Sequence, residues 1–237
     1  MKVVTTGHIV VLSPHLDDGI FSLGACLHTA ASIGAHVSLV TVFAGDPEDP
    51  QPAGPWDRRA GFRTAGEAAR VRREEDRRAC RILSLVPVWL PFPDEQYHPG
   101  PDDDTIWTVL EPIVRAADIV YTPGFPLAHP DHRRLATLIN AHCPDDVFLA
   151  SYVEQPYPVF HGRIPWRRPR APADGGAEWV SVTASEHARR AKQDACAAYR
   201  SQIPLFGRGS VIDRMLHYEE RRGGETIRWR LKTKQTS

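Results

Sequence analysis

The chain has 237 residues, 29 basic and 29 acidic, and therefore no formal net charge. That length holds one domain with a full core, and the charge balance supplies no global field for nucleic acid or an anionic membrane. Four scattered cysteines with no C-x-x-C pair, no secretory leader pattern and no apolar run near the roughly 20 residues that span a bilayer predict a cytoplasmic protein with reduced thiols.

The first half alternates strand and helix signals. Residues 8–12 form a short apolar run, as in a strand buried on both faces. A helix is predicted over 19–33, with Phe21, Leu23, Leu27 and Ala31 toward one side and Gly34 closing it. Residues 37–43 read as a second strand, followed over 44–61 by a loop rich in Pro, Gly and Asp whose length suits a rim or lid. A charged helix spans about 67–83. Its arginines over 70–81, interleaved with Glu74, Glu75 and Asp76, read as a solvated face. A third strand over 86–90 leads to a loop with Asp94 and Tyr97. A helix over 106–117, a strand over 119–122 and a helix over 132–142 follow. Such alternation implies right-handed crossovers and a parallel sheet covered on both faces.

Beyond this the pattern is less regular. Residues 147–152 read as a strand, 155–176 as loop including the basic stretch 163–170, and 185–199 as a helix with Ser185 as N-cap. The tail over 232–237 is polar. The expected organisation is a single domain over 1–237, with 1–150 as the core carrying a metal site and 151–237 completing a cleft.

Two short clusters carry the chemistry. Ser13 to Asp18 reads Ser-Pro-His-Leu-Asp-Asp directly after the first strand, and residues 129–132 read His-Pro-Asp-His after the fourth. Ligands of parallel sheets collect beyond the carboxyl ends of strands. His15 and Asp18, three apart at a helix start, can face one point, and His132 can add a second imidazole. Two histidines and one carboxylate leave positions for water and substrate, as catalytic zinc sites do. Asp17 then suits a general base, His129 a donor to a developing oxyanion, and Asp131 a partner orienting His129 or another imidazole. Taken singly, each residue also has a plain reading as loop histidine, N-cap or turn. It is the pair of clusters, with complementary ligands, that points to a metal hydrolase.

With these residues the chain resembles the PIG-L (LmbE-like) N-acetylglucosaminyl deacetylases. Arg72, Glu75, Ala79 and Leu83 followed by Phe92-Pro93-Asp94 are similar to that family's middle segment, and residues 192–206 to its C-terminal one. The resemblance implies a Rossmann-like fold and zinc-dependent removal of an N-acetyl group from a small-molecule amino sugar or its conjugate. It makes His15, Asp18 and His132 the ligands of Zn2+, Asp17 the base, and His129 the group that stabilises the tetrahedral intermediate. It places Arg72 and Asp94 against sugar hydroxyls. Leu16 and Gly19 depart from the Pro and Glu common there, which loosens the transfer of substrate but not of chemistry. An amidase releasing a larger acyl group is the alternative. A nucleotide-binding protein without hydrolysis is disfavoured, because the first strand-helix turn has no G-x-G-x-x-G. The chain offers no sign of a nucleic-acid or membrane partner, and leaves a homo-oligomer open.

Overall fold

The computed structural model describes residues 7–45, 51–97, 100–160, 177–207 and 210–230. Strand β1 (His8–Ser13) lies inside the sheet, with β2 (His36–Thr41) on one side and β4 (Ile119–Phe125) on the other. β3 (Val86–Trp89) continues beyond β2, and β5 (Phe148–Val153) beyond β4; all these pairings are parallel. The remaining strands, β6 (Val180–Val182) and β7 (Glu225–Trp229), pair antiparallel, so that the order is β3-β2-β1-β4-β5-β7-β6. The chain leaves β1 toward β2 and later returns to β4 on β1's other side. A crevice opens at the carboxyl ends of these two strands, where the order reverses.

Side-chain alternation explains why the middle of β1, residues 9–12, is apolar. Ile9 and Val11 pack into one core with helices α1 (Asp18–Ser32), α3 (Ala65–Leu83), α7 (Glu186–Cys196) and α8 (Val211–Arg222). Val10 and Leu12 pack into the other, with α4 (Asp103–Arg115) and α5 (Pro130–His142). A strand covered on both faces reads as a near-continuous apolar run. The predicted core elements are present with boundaries shifted by a few residues, and Gly34 closes α1 at φ +99°, a conformation that glycine alone takes freely.

Three expectations need correction. The loop over 44–61 contains a short helix, α2 (Pro55–Arg59), opened by a proline as the missing N–H at a helix start allows. Over 155–176, residues Tyr157–Phe160 form the helical turn α6; the basic stretch 163–170 and the tail 232–237 lie outside the described residues. The charged helix α3 is not a solvated face throughout. Glu74 is exposed and pairs with Arg77 and Arg78, but Arg72, Glu75 and Asp76 are buried. Asp76 accepts from Trp89 Nε1 and Tyr199 Oη, both at 2.7 Å, and Glu75 accepts from the Ser201 backbone N–H at 2.8 Å. These carboxylates replace water with fixed donors, which lets them be buried. The residues 192–206 therefore hold the chain's end against α3.

A second buried charge group does the same for α8 and β7. Lys192, fully buried on α7, donates to Glu219 at 2.7 Å and Glu225 at 2.6 Å, and Glu225 also accepts from the backbone N–H of Ala25 and Cys26 on α1. α8, β6 and β7 carried no clear sequence signal because their anchoring is by such long-range contacts. Cys80, Cys143 and Cys196 are buried free thiols and Cys26 is partly buried. Among the described residues no helix is long and apolar enough to cross a membrane.

Candidate active site

The segment after β1 turns sharply before α1. Ser13 Oγ donates to the His15 carbonyl at 2.6 Å and accepts from the Gly19 N–H at 2.9 Å. A Cβ added at Gly19 would lie 2.6 Å from Leu39, so a larger side chain has no room there without displacing that leucine. Asp17, at the helix N-cap, takes φ +124° and makes no capping hydrogen bond with its side chain. For a residue with a Cβ that backbone costs about 1–3 kcal/mol, and such strain persists only where the surroundings impose it.

His15, Asp18 and His132 converge. His15 Nδ1 and His132 Nε2 face each other at 3.2 Å, while Asp18 Oδ2 lies 3.1 Å from His132 Nε2 and 3.4 Å from His15 Nδ1. A tetrahedral ion with ligands at 2.0–2.1 Å would set such atoms about 3.3 Å apart. The other nitrogen of each ring is already engaged. His15 Nε2 donates to Asp131 at 2.9 Å, and His132 Nδ1 donates to the fully buried Glu154. These bonds assign the tautomers that turn both lone pairs toward Asp18. Two looser donor groups, His15 with His129 and His132, and His15 with Asp94 and Asp131, share the same histidine. The first triangle is tighter and leaves the supporting hydrogen bonds intact.

The electrostatics point the same way. Asp17, Asp18, Asp131 and Glu154 are all buried around two imidazoles, an excess of negative charge that calls for a cation. Burial opposes charge on both rings. On His15 the carboxylates of Asp94, Asp131 and Asp18 overcome it, and on His132 those of Asp18 and Glu154 do, lifting His132 to about 9. Asp18 is held far below the usual carboxylate range: burial would raise it, but His132 and His15 prevail. Asp17 is pushed well above that range, by burial first and then by Asp18, with Arg72, His15 and His132 opposing. The two adjacent carboxyls thus differ sharply in basicity. The donor set and its surplus charge fit a divalent metal.

His129 caps α5, its Nδ1 accepting the Asp131 N–H at 3.2 Å. Its ring stands edge-on to that of His15 at 4.8 Å, with Nε2 turned outward 3.6 Å from Glu95. Burial, then the charges of His15 and His132, lower it to about 4, so the neutral ring carries its proton on Nε2. Asp131, which could have oriented either imidazole, serves His15.

Arg72 and Asp94 border a cavity of about 30 Å³ together with Leu16, Phe43, Asp57 and Tyr97. Arg72 lies 3.4 Å from Asp57 and 3.9 Å from Asp94, and its Nε is buried without a hydrogen-bond partner among the described residues. Asp57 accepts from Tyr97 Oη at 2.6 Å and Gln96 Nε2 at 3.2 Å, tying α2 to the loop after β3. Of the aromatics near the motifs, Tyr97 reaches this cavity. Trp89 is instead bonded to Asp76 behind α3, and Phe125 packs edge-on against Trp179.

Sequence reasoning missed Glu154 and Asp57. Glu154 directly follows β5, so a third strand end was the available signal. Asp57 lay in the long loop without any motif.

Residues 10–149 match the family model of PIG-L, described as GlcNAc-PI de-N-acetylase. No curated protein matches the chain. Among solved structures, the antimicrobial reagent A40926 pseudoaglycone deacetylase Dbv21 is 24% identical, covering 94% of this chain and 97% of its own, at TM-score 0.79. The zinc-inhibited form of teicoplanin deacetylase Orf2 is 23% identical over 97% of this chain and 100% of its own, at TM-score 0.75. N,N'-diacetylchitobiose deacetylase from Pyrococcus horikoshii is 18% identical over 94% and 83%, at TM-score 0.57. At these identities the likeness is one of fold, whereas the family match covers more than half of the sequence, motifs included. The chain belongs to the PIG-L family, and it is a hydrolase of the deacetylase type.

Proposed function

We propose that the protein is a zinc-dependent N-deacetylase acting on an N-acetylated amino sugar or its conjugate. The triangle of His15, Asp18 and His132 beside Asp17 carries this reading, and the activities of the structural relatives support the substrate class. Zinc held by these three residues would polarise the amide carbonyl and acidify water. Asp17, kept basic by burial, takes a proton from the attacking water and passes it to the departing amine. His129 offers its outward Nε2–H to the carbonyl oxygen as negative charge grows there. Arg72, whose Nε has no partner among the described residues, and Asp94 hold sugar hydroxyls. Water and the amide give acetate and a free amine.

Leu16 and Phe43 line the neighbouring cavity and keep release of a longer acyl chain as the second reading. A mass-spectrometric screen of N-acetyl and longer N-acyl amino-sugar conjugates, with and without chelator, tests both. Chelator-sensitive acetyl loss supports the first. Release of only longer chains replaces it with the second, and no release from any conjugate overturns both.

A further inference from the structure

Four polar side chains close a ring beside the cavity next to Leu16. Arg72 Nη1, from α3, donates to Asp57 Oδ1 of α2 at 3.4 Å and lies 3.9 Å from Asp94 Oδ2. Opposite it, Gln96 Nε2 donates to Asp57 Oδ2 at 3.2 Å and to Asp94 Oδ2 at 3.1 Å. A guanidinium and an amide thus each span the same two carboxylates. The amide is oriented from outside the ring, because Gln96 Oε1 accepts the Trp56 N–H at 3.1 Å. Asp57 is 2% exposed and Arg72 8%, so water screens the pair little and each charge is held by the other.

The ring governs how Arg72 is shared. Left with a single carboxylate, a guanidinium closes on it through two parallel N–H···O bonds. Such closure on Asp94 would engage the donors of one and the acceptors of the other, leaving neither for a ligand. Here Asp57 holds the nearer contact and Asp94 stays 3.9 Å away, while Arg72 Nε is buried without a partner among the described residues. Both oxygens of Asp57 are already taken, since Oδ2 also accepts from Tyr97 Oη at 2.6 Å. Any effect of Asp57 on a ligand therefore runs through Arg72.

We propose that Asp57 is a positioning residue for the sugar: it draws the Arg72 guanidinium off Asp94, so that both side chains keep polar atoms for the substrate's hydroxyls. The proposal rests on the deacetylase reading above, through the sugar contacts assigned there to Arg72 and Asp94. The competing role is that of a tether, because Asp57 also ties α2 to the loop after β3 through Tyr97 and Gln96. A tether serves the fold alone.

Asp57→Asn keeps the volume and removes the charge, and a double-mutant cycle with Arg72→Gln separates the two roles. On the conjugate that the enzyme cleaves, either substitution should raise KM about tenfold, the size of one charge-assisted hydrogen bond. The kcat should fall less than about threefold, as when uniform binding is lost. Asp57→Asn should add nothing once Arg72→Gln is present. Wild-type KM in Asp57→Asn overturns the proposal, as does a loss of the same size in both backgrounds, which is the mark of a tether. Circular dichroism and thermal melting show which variants fold. Where one does not, Asp57→Glu, which pushes a longer carboxylate against Arg72, and Arg72→Lys, which lacks Nε, replace them with the same criterion: a shift in KM that vanishes in the Arg72 variant. If wild-type protein cleaves no N-acyl conjugate, the deacetylase reading falls, and the cycle is read as N-acetylglucosamine affinity by ligand-observed NMR titration. A loss of affinity that vanishes in the Arg72 variant keeps the Asp57 assignment; equal affinities, or no binding by any of the proteins, overturn it.

Discussion

Glu154 holds His132 from behind: its Oε1 accepts the Nδ1 proton of that histidine, while its Oε2 accepts the Leu127 N–H at 2.6 Å. Both side chains are fully buried. One carboxylate thereby fixes the tautomer and aim of a proposed metal ligand, and also ties the end of β5 to the segment entering α5. Such an outer partner sharpens the basicity and orientation of the nitrogen on the other side of the ring.

Glu154→Gln keeps the volume but no longer supplies a charged acceptor. We expect zinc affinity to fall by about 10- to 100-fold, read by competition with a chromophoric chelator, with far-UV circular dichroism unchanged. Wild-type affinity in this variant would remove Glu154 from the metal site's support.

His15→Ala and His132→Ala each delete one corner of a triangle whose edges are 3.1–3.4 Å. Elemental analysis should find both variants without stoichiometric zinc. Full occupancy in both would refute the ligand assignment.

Asp17→Asn leaves the three donors in place but cannot accept a proton. The expected result is full zinc content with turnover lower by about 10²- to 10⁴-fold, measured on the substrate found in the conjugate screen. Comparable turnover to wild type would move the base elsewhere.

The buried pair of Lys192 and Glu219 predicts a pH dependence of stability. Burial, with Glu225 adding repulsion and Lys192 opposing, raises the Glu219 carboxyl to about 8. The folded state then keeps a proton that the unfolded chain releases near about pH 4.5. Its contribution is complete below that pH and is lost as pH rises through about 8. Urea unfolding should show stability falling across this window, and Glu219→Gln should flatten the fall; an equal slope in both proteins would exclude Glu219 as its source. Lys192→Met, which leaves the Glu219 and Glu225 carboxyl groups buried without their shared donor, should cost about 3–5 kcal/mol.

The sequence by itself determined the alternation of strands and helices and the two ligand clusters, because both are local. Two-sided burial writes apolar runs such as Ile9 to Leu12, and His15, Asp17 and Asp18 sit within four residues of each other. Parallel-sheet geometry then made it a sound inference that His132 would come near His15, 117 residues away. Tertiary structure alone decided which partner each ring takes, giving Asp131 to His15 and Glu154 to His132. It also decided that Arg72, Glu75 and Asp76 turn inward from a helix whose composition reads as solvated. These outcomes depend on which donors arrive from elsewhere: Tyr199 and Ser201 for α3, Asp57 for Arg72. A charged side chain is buried or exposed according to partners that local pattern does not encode, and for that reason the ligands were legible while the groups supporting them were not.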